Sequence, residues 1–96
     1  MAITARVTRR GRAILIYLED PSIPASALGP LGNYVRVDYN VEGKRLQHEA
    51  AMRGYGADGH ALVKRAVALA DRAAAKLAIG PDTPPPGEVP VATVKL

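Results

Sequence analysis

Apolar and polar residues alternate along the first third of the chain with a period of two. Ile3, Ala5 and Val7 oppose Thr4, Arg6 and Thr8, the signature of a strand with one face buried. Gly11, inside Arg9-Arg10-Gly11-Arg12, can take the positive φ that a tight hairpin needs. Ala13 to Leu18 is then apolar without interruption, as expected of a central strand buried on both faces. Alternation resumes from Tyr34 to Val41, with Val35, Val37, Tyr39 and Val41 on the inward side. After a turn at Glu42-Gly43-Lys44 it continues through Leu46, His48, Ala50 and Met52. From Asp58 to Ile79 the period changes. Leu62, Val63, Ala66, Val67, Leu69, Ala70, Ala73, Ala74 and Leu77 recur at three- and four-residue steps, which predicts a long amphipathic helix. Asp58 is its expected N-cap, and Gly80-Pro81 its stop.

These elements predict an α+β fold. Two hairpins form a four-stranded antiparallel meander, and one long helix packs on one face of the sheet. The domain is expected to span residues 1–80. Residues 81–96 read as a proline-rich extended tail, with a short strand-like stretch from Val89 to Leu96 that could join a sheet edge. Residues 21–33 hold three prolines and two glycines. They read as a long surface connection with one short turn near Ala25 to Leu28, or alternatively as a binding loop.

Composition narrows the function. With 96 residues the chain makes one domain, and without cysteine it has no disulfide, thiol nucleophile or thiolate metal site. No apolar stretch approaches the ~20 residues of a membrane span, and the N-terminus has no signal-peptide pattern, so the expected location is cytoplasmic. The net charge is +4 and the sequence pI ≈ 9.8, within the range of nucleic-acid-binding domains. Phe and Trp are absent, so the core must be aliphatic.

The predicted topology places both hairpin turns at one end of the sheet and brings the helix C-terminus back towards them. Arg9, Arg10, Arg12, Lys44 and Arg45 would then form a basic rim, joined by Arg72 and Lys76, where arginine forks could hold phosphates. The sheet face away from the helix carries Arg6, Leu15, Tyr17, Tyr34, Arg36 and Arg53. That set suits either a stacking platform for single-stranded nucleic acid or a protein interface.

Val35 to Gly56 with the alanine-rich helix after it loosely resembles a double-stranded RNA-binding domain. Asp58, Gly59 and His60 stand where that family carries a serine and two lysines, and no helix precedes the first strand. The family is therefore not assigned. His48 is expected to face the helix, partly buried, and His60 to lie exposed in its first turn. Neither belongs to a metal-ligand spacing. No catalytic constellation, cofactor motif or metal site emerges, so a non-enzymatic module is expected. Its partner is nucleic acid, gripped through the arginine turns. The alternative is a protein-interaction or assembly component, a homodimer in one form, using the outer sheet face and the tail.

Overall fold

The computed structural model describes residues 3–96. Strands β1 (Thr4–Arg10), β2 (Ala13–Glu19), β3 (Asn33–Tyr39) and β4 (Arg45–Ala51) precede helix α1 (Asp58–Lys76), and strand β5 (Glu88–Lys95) follows it. One 3-10 turn at Ala25–Ala27 interrupts the proline-rich connection. The strands make one antiparallel sheet in the order β4-β3-β2-β1-β5. β2 sits in the middle, as its unbroken apolar run requires, and Ile14 and Ile16 are fully buried.

The expected four-stranded sheet is corrected to five strands: residues 88–95, which take in most of the strand-like stretch expected at Val89 to Leu96, pair with β1. A meander leaves one side of β1 unpaired, and its backbone groups need partners. β5 supplies them while placing Val94 and Ala92 beside Ala5 and Val7. Pro90 is tolerated because β5 is an edge strand and the ladder slips there. Val7 pairs with Ala92 and Thr8 with Pro90, leaving Val91 as the extra residue of a bulge.

Helix α1 packs on β2, β3 and β4. Ala66, Val67, Ala70 and Ala74 are buried in one cluster with Ile14, Ile16, Val35 and Val37, and Leu62 is buried nearer the start of the helix. The Asp58 side chain does not cap the helix, whose N-cap is Ala57. The helix ends three residues earlier than the apolar pattern predicts. Ala78 takes φ +54, its amide donates to Ala75, and the Ile79 amide donates to Ala74. This is a Schellman stop, and it turns Ile79 into the core at 4% exposure.

The second hairpin departs from strict alternation. β3 stops at Tyr39, and the Asn40 side chain accepts the amides of Glu42 and Lys44 to build the turn. Val41, expected inward, lies in that turn at 61% exposure. The pairing then shifts from Asp38–Gln47 to Tyr39–Arg45, so Leu46 is bulged out at 64% exposure. His48 faces the helix side by register but is exposed, because β4 is an edge that α1 only partly covers.

Candidate functional site

The two hairpin turns and the end of α1 do meet at one end of the sheet, where the basic rim was expected. Gly43 and Gly80 are in backbone contact: a Cβ on Gly80 would lie 2.5 Å from the Gly43 nitrogen. Much of the charge there is engaged internally. Arg9 is only 7% exposed. It donates to Asp82 at 2.6 Å and to the Gly11 carbonyl at 2.9 Å. Arg12 donates to the Gly80 carbonyl at 2.7 Å and the Asp82 carbonyl at 3.3 Å. These two arginines tie the start of the α1–β5 connection onto the first hairpin. The Arg9 guanidinium in turn holds the Asp82 carboxyl below its usual pKa. Arg45 pairs with Asp71 at 3.3 Å, and Asp71 also accepts the Tyr39 hydroxyl. Of the expected rim Lys44 and Arg45 stay exposed at the second turn, and of these two Lys44 has no ion pair among the described residues. Arg10 is exposed but points to the outer sheet face, and Arg72 and Lys76 lie on the far flank of α1, towards β5.

On the outer face, by contrast, the register brings the expected residues together. Arg6, Tyr17, Tyr34 and Ala51 form one row across β1 to β4. The Arg6 guanidinium carbon lies 4.4 Å from the centroid of the Tyr17 ring, a cation–π stack. The Tyr17 hydroxyl donates to Glu88, which also accepts from Thr8 at 2.7 Å. Burial, then the bond to Glu88, pushes the Tyr17 hydroxyl pKa up, while the Thr8 and Tyr17 donors lower that of Glu88. In the next row Thr8, Leu15, Arg36 and Glu49 align, and Arg36 donates to Asp38 at 3.1 Å. Leu15 is only 9% exposed although no second layer covers it. Its cover comes from the side chains lying on the face.

Arg53, expected with the outer-face set, lies past the end of β4. Its backbone amide and carbonyl are both bonded to the Asn33 side chain, and its guanidinium rests against Gly29 of the proline-rich connection. At the same end the Tyr55 hydroxyl donates to Asp20 at 2.7 Å, and burial followed by this bond pushes its pKa up to about 12. Asp20 also accepts the Ser22 hydroxyl and amide, which lower its own pKa. The long connection is thereby pinned to the sheet end.

Sequence reasoning did not find Asp82, Glu88, Asn33 or the Asp20–Tyr55 pair. Only Glu88 had a usable signal, the strand-like run that begins at the next residue, Val89. Among the described residues no group of three or more His, Asp or Glu could hold a metal ion. No helix among the described residues is long and apolar enough to cross a membrane. A scan against protein-family models and searches of curated proteins and of solved structures find no match to the chain.

Proposed function

We propose that the chain is a non-enzymatic assembly module that binds a second copy of itself through the open sheet face. The observation that carries this reading is the charge balance of that face. By register it presents Arg6, Arg10, Arg36 and Lys95 together with Glu19, Asp38, Glu49 and Glu88 around Tyr17 and Tyr34. A nucleic-acid strand laid there would meet as many carboxylates as cations and would lack the cation surplus that such binding needs. The ion pairs among the described residues take up Arg9, Arg36 and Arg45; Arg6, Arg10 and Lys95 of the open face form none, nor do Lys64, Arg65, Arg72 and Lys76 of α1 on the other side of the sheet. A neutral surface rich in Tyr and Arg, with a fixed hydrogen-bond pattern and both signs of charge, suits a self-complementary protein contact.

Light scattering on the size-separated protein tests this. The expected result is a dimer that Tyr34→Asp converts to a folded monomer, with circular dichroism unchanged. A monomeric parent protein would defeat self-association. Binding to a mixed oligonucleotide pool that is lost in Tyr17→Ala/Tyr34→Ala would instead make the face a nucleic-acid platform.

A further inference from the structure

Five strands at ~4.8 Å spacing span roughly 19 Å, whereas one helix covers about 10 Å. α1 lies over β2, β3 and β4, so the helix side of β1 and β5 is short of cover. A groove of about 430 Å³ runs there, with Val7, Val91 and Val94 as its floor and Leu69, Ala73 and Leu77 as its α1 wall. Ala73 adds to the space because its side chain is too short to reach β5. Leu69, Leu77, Val91 and Val94 remain half-buried, joined to the core at its margin. Arg72 and Lys76 stand on the lip of the groove, about one helical turn apart. No carboxylate lines it. The ion pairs among the described residues involve Arg9, Arg36 and Arg45 and leave these two cations unpaired.

We propose that this groove docks an acidic amphipathic helix of a partner protein. The occupant lies beside α1 at the 8–10 Å usual for packed helices. Its apolar stripe rests on Val91, Val94, Leu69 and Leu77, and its carboxylates face Arg72 and Lys76. Two features exclude other occupants. α1 of a second copy cannot serve, because its apolar face is in its own core and its solvent side carries Arg65, Arg72 and Lys76, which would repel the lip. An added strand is disfavoured because Pro90 and the Val91 bulge blunt the β5 edge. The groove is on the opposite side of the sheet from the self-association face, so this proposal stands or falls separately from it.

Three labelled helical peptides of about five turns, titrated into the full chain by fluorescence anisotropy, test the proposal. One has a leucine stripe flanked by glutamates, the second has lysines in their place, and the third is a scramble of the first. The glutamate peptide is expected to bind about tenfold tighter than the lysine peptide, the size of two exposed ion pairs turned from attraction to repulsion. Arg72→Glu/Lys76→Glu, which changes only exposed side chains, should reverse that order. Equal binding of the scramble would show a purely electrostatic contact and overturn the proposal, as would an unchanged preference in the double variant. A single-stranded oligonucleotide that displaces the glutamate peptide would also overturn it, by assigning these cations to nucleic acid.

Discussion

Ala78 holds a backbone conformation that glycine adopts without cost. At φ +54 its Cβ crowds the following carbonyl, a strain that glycine avoids. Replacing Ala78→Gly should stabilise the protein by about 0.5–1 kcal/mol, after allowance for the looser unfolded chain. A thermal melt should show the midpoint rising by several degrees, and a fall would contradict the αL geometry. Two residues on, the effect reverses. Gly80 has φ +137, and an added Cβ would meet the Gly43 nitrogen at 2.5 Å and its Cα at 2.8 Å. Both obstacles are backbone, so the clash cannot be relieved by a rotamer change. Gly80→Ala should cost about 2–3 kcal/mol, measured by urea denaturation. An almost neutral result would mean that the two loops do not touch in solution.

Among the elements, β5 changes most from the sequence reading. It turns β1 from an edge into an interior strand and supplies Glu88 to Thr8 and Tyr17. Its Val94 sits beside Ala5, which is fully buried. Truncation after Gly87 should therefore unfold or aggregate the chain, because it bares the β1 edge and part of the core together. Loss of dispersed amide signals in a two-dimensional NMR spectrum would show this. A truncated protein that kept the parent dispersion would mean β5 is a detachable tail. At the other edge β4 is regular from Gln47 to Ala51 but exposed on nearly every residue. Its cover is thin because α1 is rich in alanine and centred on β2 and β3.

At the scale of the whole molecule, carboxylates fasten the C-terminal segment to the first hairpin. Asp82 is held by Arg9, and Glu88 by Thr8 and Tyr17, and both pKa values lie below their ordinary values. The unfolded chain thus binds protons more readily than the folded one, so stability falls as pH drops. The loss begins near the ordinary carboxylate range, about pH 4–5, and is complete below the depressed folded values. Asp82→Asn should be less stable than the parent at pH 7 and approach it as the pH falls below the depressed value of the folded Asp82 carboxyl. Urea midpoints measured across that range would show the two curves converging. Parallel curves would mean that the Arg9–Asp82 bond does not link stability to pH.

The periods of two and 3.6, the glycine turns and the apolar run of Ala13 to Leu18 were local signals. They determined the two hairpins, the helix, the central place of β2 and the inward set Val35, Val37 and Tyr39. They also placed Arg6, Tyr17 and Tyr34 on the outer face, because side chains in a strand alternate; the inter-strand register then set them in one row. Val41 and Leu46 broke the rule because a turn and a bulge each reset the register, and neither has a period that the sequence could display. Which cations were free was decided only by tertiary structure. Arg9 and Arg12 looked like surface charges until the connection after α1 folded back and set Asp82 and the Gly80 carbonyl against them. Charge is written in the sequence, but its partners here lie some 70 residues away, and only the packed chain brings them within hydrogen-bond reach.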